Sequence, residues 1–119
     1  HNLEENYDLT GRKLAAYTFQ GTRHATKNWV DMIKGVLREL YALDPASLRA
    51  VATGTKFPAR YFSVVPLDYG FEVGGGIWFN PGCSTSIKCD ALRRIIDRID
   101  GVEQSDLTLE VYNEKETEE

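Results

Sequence analysis

The part of the chain with the most chemical character is a polar loop between a predicted strand and a predicted helix. It contains Cys83, Ser84, Thr85 and Ser86. Backbone N–H groups and hydroxyls at the start of a helix can hold an anion, and a cysteine placed there can have a lowered pKa. The sequence therefore predicts an anion-binding site in this loop. An alternative interpretation is a small enzyme that uses Cys83.

Catalysis by this loop lacks a partner residue. In the phosphatase arrangement a cysteine is followed, after five residues, by an arginine that grips phosphate. Here that position is Cys89, with Lys88 before it. Helix capping by the loop hydroxyls accounts for the same residues without any chemistry. We therefore favour capping and predict no catalytic residue.

Residue spacing indicates no metal or cofactor site. Cys83 and Cys89 are the only cysteines, His1 and His24 lie far from them in sequence, and no CxxC pair occurs. Without a nearby carboxylate, His24 is predicted to be a surface residue. The glycines at 74–76 lie between two strand-like runs, whereas a phosphate loop needs them between a strand and a helix. They predict a hairpin turn or a bulge with positive φ.

Basic residues form two groups that could contact phosphate. One group surrounds the first predicted hairpin, and the other lies on the polar side of the last predicted helix. If the groups adjoin, they form a basic face suited to nucleic acid. The competing interpretation is a solvated helix face, because Asp90 and Asp97 are interspersed with the arginines of that helix. The candidate residues are Arg12, Lys13, Arg23, Lys27, Arg93, Arg94 and Arg98.

Length and charge limit the class of protein. The chain has 119 residues, of which 42% are hydrophobic, and this predicts one core. The formal net charge is −4, but residues 10–112 hold 13 Lys and Arg against 11 Asp and Glu, so the acidity belongs to the ends. No apolar run approaches the roughly 20 residues that span a bilayer, and no signal peptide is visible. The sequence predicts a cytoplasmic protein with no membrane partner.

Hydrophobic periodicity predicts an α+β fold. Alternating and helical patterns indicate two hairpins, two good amphipathic helices, a shorter helix and a final strand. We expect a two-layer domain in which two or three helices cover one face of a mainly antiparallel sheet. Residues 53–67 give the weakest pattern. The predicted elements are a hairpin over 14–26, a helix over about 29–42, a helix from 45, a hairpin over 69–79, a helix capped within 84–86 that carries the stripe Leu92, Ile95, Ile96 and Ile99 and has Gly101 as its C′ residue, and a strand over 107–112.

The ends of the chain differ in composition from its middle. Residues 1–12 are polar and begin at His1 without an initiator Met, so we expect a linker or tag remnant. Residues 13–112 are expected to form a single α+β domain, and 113–119 an acidic flexible tail. We expect the native protein to continue upstream.

A pattern of structural residues runs through most of the chain. Its members are Phe19, Gly21, Trp29, Leu40, Tyr41, Asp44, Pro45, Tyr61, Phe62, Ile77, Trp78, Phe79, Asn80, Gly101, Asp106 and Leu107. In this pattern, residues 14–111 resemble an uncharacterised prokaryotic domain found near the C-termini of larger bacterial proteins, some of them in restriction and defence systems. The resemblance implies an accessory domain and supplies no catalytic residue.

We therefore expect a non-catalytic accessory or interaction domain of a larger prokaryotic protein, which binds protein or nucleic acid. The alternatives are a small enzyme or anion-binding domain that uses the Cys83 loop, and a structural or dimerisation domain. The expected partners are the parent polypeptide, a protein or nucleic acid, and a second copy of the chain. A basic patch or an exposed Trp78 favours binding, whereas a deep pocket at Cys83 favours an enzyme.

Overall fold

The computed structural model describes residues 13–26, 28–54, 61–68, 70–82 and 85–112. Three helices, six strands and one turn of 3₁₀ helix lie in these ranges, which confirms the predicted α+β class. No described helix is long and apolar enough to cross a membrane. In chain order the elements are β1 (Lys13–Phe19), β2 (Thr22–Ala25), α1 (Trp29–Leu43), α2 (Pro45–Thr53), β3 (Phe62–Ser63), β4 (Phe71–Gly74), β5 (Ile77–Phe79), α3 (Thr85–Ile96), the 3₁₀ turn (Gln104–Asp106) and β6 (Leu107–Tyr112).

The strands form two small antiparallel sheets rather than a single sheet. Sheet A has the order β2–β1–β6, and sheet B has the order β3–β5–β4. The division follows the chain, because the three strands of sheet B are consecutive in sequence, while β6 returns to pair with β1. The β1–β2 turn uses Gln20 and Gly21 at positive φ, 48° and 85°, as expected for a two-residue hairpin turn.

Side-chain caps begin both α1 and α2, and the backbone N–H of Asp44 closes the end of α1 on the Leu40 carbonyl. The Asn28 side chain accepts a hydrogen bond from the Asp31 N–H at 2.7 Å, which satisfies a donor of the first helical turn. Asp44 follows the last residue of α1 and caps α2 by accepting from the Ser47 N–H at 3.1 Å and from its hydroxyl at 2.6 Å. These bonds hold the pKa of Asp44 below its usual value. One residue therefore ends one helix and begins the next.

The core lies around α1 and α3, on the apolar stripes that periodicity predicts. In α1 the stripe is completely buried, and the stripe of α3 packs with it and with side chains from both sheets. The buried residues include Met32, Ile33, Val36, Leu37 and Leu40 of α1, Leu92, Ile95 and Ile96 of α3, and Leu14, Phe62, Phe79 and Leu107 of the strands.

The turn at 74–76 joins β4 to β5, which confirms the predicted hairpin. Gly75 and Gly76 have φ of 56° and 82°, values that favour glycine. A Cβ atom on Gly74 would lie 2.7 Å from the ring of Tyr41, so this turn packs closely against α1. Arg49 of α2 donates a hydrogen bond to the Gly75 carbonyl.

Helix α1 faces sheet A on one side and sheet B on the other. Its residues Gly35, Glu39, Ala42 and Leu43 lie beside β1, β2 and their turn, and we call them flank A. Its residues Lys34, Arg38 and Tyr41 lie beside β4 and the glycine turn, and we call them flank B. The two flanks position the groups considered below.

Candidate functional site

The predicted anion-binding loop lies partly outside the described residues. Cys83 and Ser84 fall outside them, while Thr85 begins α3 and Ser86 follows it. The predicted helix start at this loop is confirmed. Cys89, in the same helix, is a free thiol that is 2% exposed. Burial raises its pKa to about 11, so this thiol is protonated at neutral pH and is a poor nucleophile.

Of the two basic residues of the first hairpin that the structure describes, Arg23 is paired with a carboxylate. Arg12 and Lys27 lie outside the described residues, and Lys13 is exposed at the start of β1. Arg23 makes a two-point ion pair with Glu110, Nε to Oε2 at 2.8 Å and Nη2 to Oε1 at 3.1 Å. This hydrogen-bonded pair raises the pKa of Arg23 and lowers that of Glu110. It crosses β1 on the face of sheet A that points away from α1.

The arginines of the last helix show the mixed pairing of a solvated face. Arg94 Nε lies 3.1 Å from Asp90 Oδ2, one helical turn away. Arg93 is half-buried in α3, and Arg98 is exposed in the turn that follows it. Nucleic-acid binding by the predicted residues stays a prediction. Two of the cations it relies on, Arg23 and Arg94, already have a carboxylate partner.

Flank B carries two cations that the sequence did not single out. Lys34 Nζ lies 5.4 Å from the centroid of the Phe71 ring, and Arg38 Cζ lies 5.8 Å from it. The residues are one helical turn apart, so both reach the same ring. These distances fall within the range of cation–π attraction. Among the described residues, no carboxylate lies within ion-pair distance of either cation.

The core holds the Phe71 ring in place. Phe71 begins β4, and its ring packs at 6.1 Å between centroids against Phe79, which is 1% exposed. The next residue, Glu72, points to the opposite face of sheet B, where its carboxylate accepts from the Gly76 N–H at 2.9 Å. Half-buried Trp78 shares that opposite face. Lys34 and Arg38 therefore lie on the side of β4 that faces α1, and the Glu72 carboxylate lies on the opposite side.

A third cation extends this arrangement along β4. The Arg49 guanidinium binds the Gly75 carbonyl, on the turn that packs against Tyr41. We define the cationic surface as Lys34, Arg38 and Phe71, with Arg49 at its end. It combines fixed positive charge with an aromatic side chain.

Flank A has the opposite character. The rings of Tyr17 and His24 stack at 4.8 Å with an interplanar angle of 24°. His24 Nε2 lies 3.6 Å from Glu39 Oε1, which is longer than a hydrogen bond. Within the described ranges, His24 Nε2 and Glu39 Oε2 are buried without a hydrogen-bond partner. Burial and the nearby charge of Glu39 raise the pKa of Tyr17.

The expectation that His24 lacks a nearby carboxylate is wrong. Glu39 is far from it in sequence, and only the packing of α1 on the hairpin brings the two together. The pair resembles an acid–base arrangement, but Nε2 is buried and does not reach solvent. Flank A is therefore better suited to binding than to proton transfer with a substrate.

An open cleft lies beside Glu39, between the β1–β2 turn and the end of α1. Its volume is about 290 Å³. Ala42 and Leu43 supply an apolar wall, and Leu43 is 52% exposed. The described residues that line it are Phe19, Gln20, Thr22, Glu39, Ala42 and Leu43, and none of these is a lysine or an arginine.

In the part of the chain that the structure describes, no group of three or more His, Cys, Asp or Glu side chains could hold a metal ion.

Comparisons of the chain with protein-family models, with curated proteins and with solved structures give no match. Flanks A and B are therefore the candidate functional surfaces of the described chain.

Proposed function

We propose that the chain is a non-catalytic interaction domain of a larger prokaryotic protein, and that it binds nucleic acid through the cationic surface. One observation carries the proposal. Lys34 and Arg38 both lie over the Phe71 ring, at 5.4 and 5.8 Å, without a carboxylate in ion-pair range among the described residues.

The cation–π arrangement leaves the donors of both cations available. The Phe71 ring attracts the charge through its π face and does not use a directed hydrogen-bond acceptor. An ammonium has three N–H donors and a guanidinium has five, and phosphate oxygens are acceptors that such donors bind. By contrast, Arg23 and Arg94 already donate to carboxylates. Phosphate must compete with those partners.

The ring also lowers the cost of ordering the cations. Long side chains such as lysine and arginine lose up to about 2 kcal/mol of rotamer entropy when they are fixed. Lys34 and Arg38 are partly fixed before binding, because Phe71 is itself held by Phe79. Preorganised side chains leave more of the contact energy for affinity.

The proposed contact is to the phosphate backbone and carries no sequence information. We expect dissociation constants of about 10–100 μM at low salt, because a few cations give weak, phosphate-driven binding. With two or three phosphates neutralised, the slope of log K against log salt should be about −2 to −3.

The experiment compares two double variants with the same change in net charge. Lys34→Gln with Arg38→Gln removes the cationic surface, and Arg23→Gln with Arg94→Gln removes the paired cations. Fluorescence anisotropy with labelled single- and double-stranded oligonucleotides, at about 50 mM salt, measures affinity in the regime where phosphate contacts are strong. Circular dichroism checks that each variant is folded.

We expect the first double variant to bind at least about tenfold more weakly, and the second to stay within about threefold of the unchanged chain. Equal losses in both variants would assign the effect to net charge. A larger loss in the second variant would return the site to the hairpin and the last helix. If the unchanged chain does not bind at about 1 mM protein, nucleic-acid binding is the wrong function.

A further inference from the structure

We propose that His24 and Glu39 form a pH-sensitive contact, which holds the β1–β2 hairpin on α1 when His24 is protonated. The contact lies on flank A, apart from the cationic surface, so it goes beyond the nucleic-acid proposal and does not rest on it. Two observations carry it. Each side chain has a buried polar atom without a hydrogen-bond partner in the described chain, and His24 Nε2 lies 3.6 Å from the Glu39 carboxylate.

The two unpaired atoms complement each other. His24 Nε2 and Glu39 Oε2 are both shielded from solvent, and buried polar atoms are nearly always paired in folded proteins. Each residue therefore finds its partner inside the contact. A charge-assisted N–H···O bond is about 2.8 Å long, so Nε2 needs to approach the carboxylate by only about 0.8 Å from its present 3.6 Å.

Protonation determines whether Nε2 donates this bond. In a neutral imidazole one nitrogen is a donor and the other an acceptor, whereas both are donors in the charged ring. The charged ring also attracts an ionised carboxylate. Ordinary glutamate and histidine side chains titrate near pH 4.3 and 6.5, so the two charges coexist most fully at about pH 5–6.

Two described titratable groups face His24 from the elements packed against it. Glu39 comes from α1, and the ring of Tyr17 on β1 stacks on the imidazole at 4.8 Å. Burial and the Glu39 charge raise the pKa of Tyr17, so this phenol stays neutral in the range considered, and its π face attracts a cation. Arg23, beside His24 on β2, points to the opposite face of sheet A and binds Glu110.

Partial exposure lets the contact exchange a proton with solvent. The side chains of His24 and Glu39 are 37% and 40% exposed, although the atoms named above are buried. Burial of Nε2 by itself favours the neutral ring. The carboxylate charge and the Tyr17 ring favour the charged one, and they prevail because His24 is only partly removed from water. The open cleft beside Glu39 leaves space for a small approach of the β1–β2 turn.

The direction of the pH dependence follows from this preference. The folded contact holds a proton that an unfolded histidine holds less tightly, so protonation favours the folded state. The contribution is present below the ordinary histidine pKa of about 6.5 and is lost as the pH rises through and beyond that value. It also fades below about pH 4, where carboxylates gain protons.

The experiment is a double-mutant cycle in the full 119-residue chain, made from His24→Gln, Glu39→Gln and the double variant. Urea unfolding at about pH 5.5 and about pH 8 gives the coupling as a ratio of unfolding equilibrium constants. The matched control cycle uses Arg23→Gln and Glu110→Gln, on the same sheet. The pKa of Arg23 is raised and that of Glu110 is lowered, so both control charges persist at both pH values.

We expect the His24–Glu39 coupling to change the unfolding equilibrium constant about fivefold at about pH 5.5 and less than about twofold at about pH 8. The Arg23–Glu110 coupling should be the same at both pH values. A His24–Glu39 coupling of equal size at both would overturn the proposal, because a neutral ring would then make the contact as well. A control coupling that changes as much would also overturn it.

A second measurement uses the unchanged chain and holds even where a variant fails to fold. His1 is the only other histidine, and contact with the Tyr17 ring identifies the His24 signals in ¹⁵N spectra of the imidazole nitrogens. At about pH 5.5 we expect both nitrogens of His24 to be protonated, with a slowly exchanging Nε2 proton, and at about pH 8 only one. A neutral His24 ring at the lower pH contradicts the proposal, as does an Nε2 proton that exchanges as fast as that of His1.

Discussion

The two flanks of α1 differ in charge and in packing, although they belong to the same few turns of helix. On flank A, Glu39 meets a histidine and an open cleft. On flank B, Lys34 and Arg38 meet the face of a phenylalanine. Successive helical residues are rotated by about 100°, so residues 34 and 38 share one side and residues 35 and 39 the next. A nearly neutral stretch of sequence therefore separates into an acidic and a basic surface.

Both flanks belong to a helix that is held in place by its buried stripe. Leu37 is completely buried in α1, between them. We expect Leu37→Ala to lower the free energy of unfolding by about 2–5 kcal/mol, because it removes methyl groups and leaves a cavity. Leu43→Ala, at a residue that is 52% exposed, should change it by less than about 0.5 kcal/mol. Urea unfolding followed by tryptophan fluorescence measures both, and similar losses would contradict the burial of this stripe.

The packing of flank B can be tested at the glycine turn. A Cβ on Gly75 would lie 3.0 Å from Tyr41 Cζ, and φ there is 56°. Gly75→Ala should therefore cost about 2–4 kcal/mol, through overpacking and left-handed backbone strain together. Gly76→Ala has φ of 82° but no atom within 4 Å of the added Cβ, so it should cost only about 1–2 kcal/mol. Equal losses of melting temperature would show that Tyr41 does not restrain the turn.

Removing the aromatic ring of flank B should have a smaller effect, which is measured as a change in oligonucleotide affinity. Phe71→Leu keeps an apolar side chain on β4 and removes the π face. We expect oligonucleotide affinity to fall about threefold, since a cation–π contact near the surface is worth roughly 0.5–1 kcal/mol. The salt slope should stay the same, because both charges remain. A fall in the slope would mean that the ring does more than position the cations.

The smallest expected effect lies on the face of sheet A that points away from flank A. Arg23 lowers the pKa of Glu110, so the ionised pair favours the folded state at neutral pH. Glu110→Gln should lower the melting temperature slightly at pH 7, because exposed pairs contribute little. The difference should be lost as the pH falls below the ordinary glutamate pKa of about 4.3 and then through the lowered value of Glu110. A difference that persists at pH 2 would show that packing, not charge, explains it.

Periodicity was enough to predict the elements that carry the flanks. The spacing of Val36, Leu37 and Leu40 predicts the buried stripe of α1, and Asn28 predicts its first turn. The glycines at 74–76 predict the β4–β5 turn. Neighbouring residues determine these features, so the sequence pattern is enough to predict them.

The chemistry of the flanks could not be predicted in the same way. Lys34 and Arg38 at i,i+4 are visible in the sequence, but Phe71 joins them only when β4 packs beside α1. Glu39 meets His24 only when the hairpin docks. The division of the strands into two sheets also depends on this packing, because alternation alone does not specify partners. The carboxylate that pairs with Arg23 likewise belongs to a distant residue, Glu110, which lies 87 residues later in the chain.

The pairing of β1 with β6 has a consequence for synthesis on the ribosome. Lys13 pairs with Tyr112 and Phe19 with Leu107, so sheet A joins the first described strand to the last. Domains form in the order in which their parts emerge, and contacts between distant residues form slowly. All the strands of sheet B, together with α1 and α2, are available once β5 has left the ribosome. By contrast, one edge of β1 stays unpaired until residues 107–112 have left the ribosome. Until then, the sheet beside flank A is incomplete.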